Sequence, residues 1–520
     1  MAELLLCQKD SYYDSVTLMT LSNQLKKMDG INNAVVSMGT PMNKELLENI
    51  GLLKGALTDA GPNDLLIAIC SDSEKQCQQA YEKIDGLLHS KKERMEKSTN
   101  NIYHTISEAK KNNPDLNLAI ISVKGEFAAR EAKEALKKEM HVMLFSDNVS
   151  LQQELHLKQT AHEKGLLVMG PDCGTAILGG TGLCFSNEVR RGNIGMIAAS
   201  GTGLQEVCVL ADQMGGGISQ AIGTGGRDLS AEIGGIMMLD ALQLLNEDED
   251  TKVIVLISKP PVESVAKKII KQIALCHKPV VVCFIAGSPD VLLDAENAVF
   301  AANLEDAAAQ AVALEKGDSP VSSSDTRFPV DKTKLKQCSA DLKAEQKYIR
   351  GLYCGGTLTS EALSECSKKL PNVYSNVAKN TLQKLKDPMV SCGHCFIDLG
   401  DDLFTVGRPH PMIEPELRCE RILQEVRDAE TAVLLLDFEI GYGSCEDPVG
   451  VTIDALKEAQ DYVKEHNRKV VIIGYVQGTD KDFQEKSKQQ KMLENIGVIV
   501  AQSNLHAVTM ALQIIAGKEV

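Results

Sequence analysis

The chain has 520 residues, 43% hydrophobic and 24% charged, which suits about three globular domains with full cores. A net charge of −16 argues against a nucleic-acid partner held through phosphates, and 4% aromatic residues with no tryptophan argue against base-stacking platforms. No apolar run reaches the roughly 20 residues that span a membrane, the start MAELLLCQKDSYYDS lacks the basic and apolar regions of a signal peptide, and the 15 cysteines are scattered. These features predict a cytoplasmic protein with reduced thiols.

Residues 1–190 are expected to form one unit. Strands are predicted at Leu4–Cys7, Ala34–Met38 and Leu65–Cys70, with a helix over Val16–Lys27. Lys75–Lys111 is charged throughout and predicts a long solvated helix. A β-α-β-α-β run follows: Leu118–Val123, Glu126–Lys138, His141–Phe145, Leu151–Lys164 and Leu166–Met169. Such alternation predicts a parallel sheet covered by helices. The last strand ends in Gly170–Thr175, GPDCGT, at the carboxyl edge where such sheets bind ligands. Cys173 within it has no local histidine to activate it and reads as a structural thiol.

Residues 191–315 contain a strand, Ile194–Ala199, and the turn Ser200-Gly201-Thr202-Gly203 leading into a helix near Leu204. Unpaired N–H groups at a helix start suit an anion. A second glycine loop, Ile222–Asp228, carries Gly225, Gly226 and Arg227. Alone, each loop is better explained by tight turns than by an anion site. After the strand Val253–Ser258, Lys259 either meets an anion or is solvated. Residues 316–345 are polar, with proline and a serine run, and predict an interdomain linker.

Residues 346–520 repeat the pattern. NIGMIAASGTGLQE (Asn193–Glu206) aligns with YIRGLYCGGTLTSE (Tyr348–Glu361), VIVLIS with AVLLLD (Ala432–Asp437), and KPVVVCFIAG with KVVIIGYVQG (Lys469–Gly478). The repetition predicts a duplicated α/β unit. It also predicts two helix starts, at Ser200–Gly203 and at Gly355-Gly356-Thr357, closing on one anion. Cys392 and Cys395 form a CxxC without the second ligand pair that zinc needs. The loop Leu403–Met412, LFTVGRPHPM, presents Arg408, suited to a carboxylate or phosphate, and His410, suited to acid–base work. A loop merely stiffened by proline is the competing reading. Adjacent Asp401 and Asp402 point apart, so no metal is expected.

GPDCGT, SGTG and IGTGG (Ile222–Gly226) resemble the alpha subunit of succinyl-CoA ligase, and CGGTLTSEA (Cys354–Ala362) with FIDLGDD (Phe396–Asp402) resembles the carboxyl-terminal domain of its beta subunit. Longer strings, DSVTLM (Asp14–Met19), MGTPMNKELL (Met38–Leu47) and DLGDDLFTVGRPHPMI, resemble the FdrA family over nearly the whole chain. The resemblance implies an α/β fold: a Rossmann-like CoA-binding-type domain (1–190), a first flavodoxin-like ligase-type domain (191–315), and a second (346–520) after the linker. The ligases' histidine motif is replaced by Ser288–Ala298, SPDVLLDAENA, so no phosphohistidine relay is expected. The family implies a subunit of an oxamate carbamoyltransferase, in which phosphate attacks oxalurate to give oxamate and carbamoyl phosphate during allantoin breakdown. Its implied partners are a small carboxylate or carbamoyl substrate, phosphate and other subunits of a multi-subunit enzyme. Arg227 or Arg408 would then hold the oxamate carboxylate. Two alternatives accompany it: a succinyl-CoA ligase-like subunit that forms a CoA thioester with a nucleotide, and a non-catalytic ligand-binding scaffold.

Overall fold

The computed structural model describes residues 2–84 except 12, 14 and 27, and residues 102–518 except 293, 294, 406 and 407. The chain forms two compact units, Met1–Tyr103 and His104–Val520. The predicted 1–190 unit is therefore divided.

In the first unit, Leu65–Ser71 lies between Ala2–Gln8 and Ile31–Met38 and is antiparallel to both. The helix Ser15–Lys26 returns the chain so that the outer strands run the same way, leaving a gap that the third strand fills. The three strands sit where expected, but this sheet is not the parallel Rossmann type. Burial pattern alone does not distinguish the two, because Leu65–Ser71 is apolar throughout, like a parallel core strand. Residues 85–101 of the predicted long helix lie outside the described residues. Beyond them a separate helix, Ile106–Asn112, starts at its own cap, Thr105.

The second unit begins with the expected parallel strands Leu118–Ile121, His141–Leu144 and Val168–Met169. Two larger sheets follow. In the first, the parallel strands run in spatial order Ala298–Phe300, Val280–Phe284, Val253–Ser258, Arg191–Ala198, Ile218–Gly223. An antiparallel hairpin, Thr175–Leu178 and Thr181–Cys184, extends the edge, its two-residue turn made by Gly179 and Gly180 at positive φ. In the second sheet the order is Ile499–Ala501, Val471–Gln477, Thr431–Glu439, Tyr348–Tyr353, His394–Asp398, Val373–Ser375. Numbered from Arg191–Ala198, the first sheet's parallel strands have the order 2-1-3-4-5, the flavodoxin-like order. The second, numbered from Tyr348–Tyr353, reads 2-3-1-4-5-6 and reduces to the same order once the short edge strand Val373–Ser375 is set aside, so the duplication is present in topology as well as in sequence.

One continuous core joins the halves, with Leu204, Val207 and Leu304 from the first packed among Leu358, Ala362 and Val508 from the second. Two fully buried glutamate carboxyl groups cross between them. Glu206 accepts from Tyr475 Oη (2.6 Å), Gln477 Nε2 (3.0 Å) and Asn504 N (3.2 Å). Glu361, its counterpart in the repeat, accepts from Leu304 N (2.8 Å) and Asn504 Nδ2 (2.7 Å). Each glutamate therefore satisfies the start of the other half's last helix, Leu304–Glu315 or Asn504–Ala516. The predicted linker is not loose. It carries the helix Lys332–Ala340, buries Leu335 and Leu342 in this core, and is tied down by buried Asp306, which accepts from Ser322 Oγ, Ser323 N and Arg327.

Candidate functional site

The helix of the first repeat runs Gly201–Gln213, three residues earlier than expected, because Ser200 is its N-cap and accepts from Gly203 N. The corresponding helix, Gly356–Ser367, has Gly355 at the cap and no capping side chain. The two starts abut reciprocally. A Cβ on Gly203 would lie 2.7 Å from Thr357 Cγ2, and one on Gly355 would lie 2.5 Å from Thr202 Oγ1. Ser200 Oγ and Thr357 Oγ1 are hydrogen-bonded across the contact. Glycine is needed at these two positions for backbone to meet side chain, not for an unusual φ.

Both helix starts open into one cleft of about 850 Å³, lined by Ser200, Gly201 and Thr202 from one side and Gly355, Gly356 and Thr357 from the other. It lies at the carboxyl ends of the strands, where strand order reverses in each sheet. Lys259 lines it from the end of Val253–Ser258; burial pulls its amine below the usual range, against an upward pull from Asp398. Thr175 and Ser258 also line the wall, and their buried hydroxyl oxygens have no hydrogen-bond partner among the described residues. Such groups await a ligand or water.

Asp398 closes the second helix's end. It is 7% exposed, its Oδ1 accepts from Gly400 N (2.9 Å), and burial raises its carboxyl to about 7 even though that hydrogen bond and Lys259 pull downward. His410 lines the same wall and accepts from Met412 N through Nδ1 (3.2 Å). Burial, reinforced by Arg418, lowers it to about 4. The ring is therefore neutral at pH 7 and carries its hydrogen on Nε2, which faces Gly400. Arg408 is exposed at the rim, 3.7 Å from the exposed Glu420.

Gly226 and Arg227 line the far arm of the cleft, but Gly225 does not; it packs against the Gly170–Pro171 backbone. Arg227 is engaged by Val149 O (2.7 Å) and Glu154 (2.8 Å). The loop that carries it is fixed by buried Lys158, which donates to Glu154 (2.9 Å), Thr224 O (2.9 Å) and Asp228 (2.8 Å). Asp172, in the GPDCGT loop, lines this arm beside Asp147; burial and then Asp147 raise it to about 6. Cys173 lies behind the wall, pushed by burial up to about 12.

Sequence reasoning did not single out Asp398, Thr175 or Ser258. Ser258 and Asp398 had a signal, since each is the polar residue that ends an otherwise apolar run, VIVLIS or CFID. Cys392 is exposed and Cys395 buried, with the Cys395 thiol raised to about 11 by burial. Among the described residues, one group of potential metal ligands converges: Cys354, Asp437 and Glu439. The guanidinium of Arg418 lies among them, in contact with Cys354 Sγ and 2.8 Å from Asp437. No helix of the described residues is long and apolar enough to cross a membrane.

Three family models match the chain: the AllF, heavy metal-associated domain at residues 1–103, the CoA binding domain at 189–287 and CoA-ligase at 352–514. The CoA-binding match thus falls on the first repeat, not on residues 1–190. The uncharacterized protein YahF of Escherichia coli (strain K12) is 46% identical over 520 residues, covering 100% of both chains. Succinate–CoA ligase subunit alpha 1 of Archaeoglobus fulgidus is 31% identical over 193 residues, 36% of this chain and 63% of that subunit. The chain therefore spans a little under two thirds of that ligase subunit. Among solved structures, ATP citrate lyase from Methanothrix soehngenii in complex with citrate and coenzyme A has a TM-score of 0.35 at 13% identity, covering 80% of this chain and 84% of that one. At that score the likeness carries no weight here.

Proposed function

The chain belongs to the same family as YahF, and on that premise, with its CoA-binding and CoA-ligase domain matches, we propose that its cleft holds a small oxyanion between two helix starts and moves an acyl group to or from it, as an acid–CoA ligase-like enzyme does. The observation that carries this reading is the reciprocal contact of the Gly201 and Gly356 helix starts over one cleft. The N–H groups of Gly201, Thr202, Gly356 and Thr357 have no acceptor within their own helices and bring the partial positive charge of both helix starts to the cleft. Lys259 adds a full charge, and the Thr175 and Ser258 hydroxyls add donors. The same donors stabilise charge that grows on a phosphate as it leaves an acyl carbon. Arg408 at the rim is placed for a substrate carboxylate, Gly226 and Arg227 line the arm that receives the acceptor, and neutral His410 offers an N–H donor. The CoA-binding match makes CoA the first acceptor to test.

Calorimetric titration with phosphate, acetyl phosphate and CoA tests the reading. Phosphate should bind at roughly millimolar concentration, about −4 kcal/mol, and Lys259→Met should weaken it about tenfold. Failure of every small anion to bind at such concentrations refutes it.

A second reading, phosphorolysis of a carbamoyl group with oxalurate as substrate and other subunits as partners, is favoured by Ser288–Ala298, which holds no histidine to carry a phosphoryl group. Phosphate would then attack the carbamoyl carbon directly, with oxamate leaving. Carbamoyl phosphate formed from oxalurate and phosphate by the chain with its partners supports this reading; CoA thioester formation supports the first.

A further inference from the structure

The two helix starts are not equivalent. The first is capped by Ser200, whereas the second, beginning at Gly356, has no capping side chain and instead faces a carboxylate. A point at Cβ distance from Gly356 lies 2.8 Å from Asp398 Oδ2 and 3.5 Å from Lys259 Nζ. Asp398 Oδ2 accepts no hydrogen bond among the described residues, and the side chain is more than nine-tenths buried while lining the cleft. A carboxylate beside a helix start is stabilised there when alone, but it repels an oxyanion bound at the same end unless it takes up a proton.

We propose that Asp398 is the general acid–base group of this cleft, holding a proton on Oδ2 whenever an oxyanion occupies the Gly356 end. The inference rests on the anion-binding reading above. In the direction that consumes an acyl phosphate, the Asp398 carboxyl gives its proton to the departing phosphate oxygen as the acyl carbon–oxygen bond breaks. The acceptor's bond to that carbon forms, and the acceptor's own proton restores the carboxyl. Nothing else is consumed.

The groups facing Asp398 act on it from every side. Lys259, on the neighbouring sheet's strand end, favours the carboxylate, while Asp401 in the following loop and Asp437 on Thr431–Glu439 favour the acid. Lys379 acts through Lys259, and His410, beyond Gly400, is uncharged at neutral pH. Burial outweighs these and sets the carboxyl at about 7, where a general acid–base group works best.

Inorganic sulfate is the probe, because it does not itself titrate near neutrality. Its binding to the full chain is measured calorimetrically between about pH 6 and 9, in pairs of buffers with different ionisation enthalpies, to count protons taken up. The wild type should take up close to one proton per sulfate above pH 7, with affinity falling about tenfold per pH unit. Asp398→Asn keeps the acceptor for Gly400 N and should bind sulfate with no proton uptake and little pH dependence. Wild-type binding without proton uptake overturns the proposal, whether or not the variant folds. Undiminished uptake in a folded Asp398→Asn variant overturns it too. Absence of sulfate binding at any pH instead refutes the anion reading itself.

Discussion

Substituting Gly355 by alanine tests whether the two helix starts truly touch. The added methyl would lie 2.5 Å from Thr202 Oγ1 and 2.8 Å from Thr202 Cβ, inside any real contact distance. Overpacking of this kind costs about 1–3 kcal/mol. The φ of Gly355 is −153°, which alanine adopts freely, so backbone strain adds nothing. Alanine also removes unfolded-state freedom, which returns about 0.4–1 kcal/mol. The expected net loss is about 1–2 kcal/mol. Guanidinium unfolding followed by far-UV circular dichroism reads it, with the transition of the larger unit analysed separately from that of residues 1–103. Thr202→Ala removes the closest obstructing atoms, so the double mutant should recover part of the loss, with a coupling of about 1 kcal/mol. Phosphate affinity should fall with Gly355→Ala and recover in the double mutant. An undiminished transition and zero coupling would mean that the two starts do not meet and that the cleft has been misread.

Lys158→Met should destabilise the larger unit by about 3–5 kcal/mol, because Glu154 and Asp228 would remain buried without their shared cation; thermal melting measures it. Glu361 is held by burial at about 8, above its unfolded value, so the folded state retains a proton that the unfolded state releases. Stability should therefore fall as pH rises from about 4.5 to 8, and Glu361→Gln should flatten that fall in denaturation curves across this range. His410, lowered to about 4, should show the shifts of a neutral ring throughout pH 5.5–8 in NMR of carbon-labelled histidine, where an ordinary histidine titrates near about 6.5.

Much of this architecture was legible because parallel strands buried on both faces announce themselves as short apolar runs, and because the runs recur in order. Val253–Ser258 and Ala432–Asp437 are read this way, and the repeat predicts a duplicated α/β unit, while the flavodoxin-like type comes from the family resemblance. The meeting of Gly201 with Gly356 was foreseeable only as a consequence of duplication, since nothing local reports a neighbour 155 positions away. What stayed hidden depends on burial of polar groups. Glu154 and Lys158 sit in a helix, Leu151–Glu163, that reads as half solvated, yet both are fully buried under the Gly225–Asp228 loop. Asp398 looked like one acid among three in DLGDD, and its burial and the direction of its Oδ2 set it apart from Asp401 and Asp402. The stretch 316–345 has a linker's composition, but Asp306 gathers its serines and Arg327 into fixed structure. In the amino-terminal unit, pattern alone does not distinguish parallel from antiparallel pairing of Leu65–Ser71.

The crossed glutamates bear on how the protein is made. As the chain leaves the ribosome, Leu304 N has no acceptor until residue 361 has emerged, and Glu206 stays uncompensated until residues 475–504 follow. The first repeat therefore stays incompletely settled until the second repeat's helix Asn504–Ala516 has been made, so consolidation of the larger unit is a late event rather than a stepwise one.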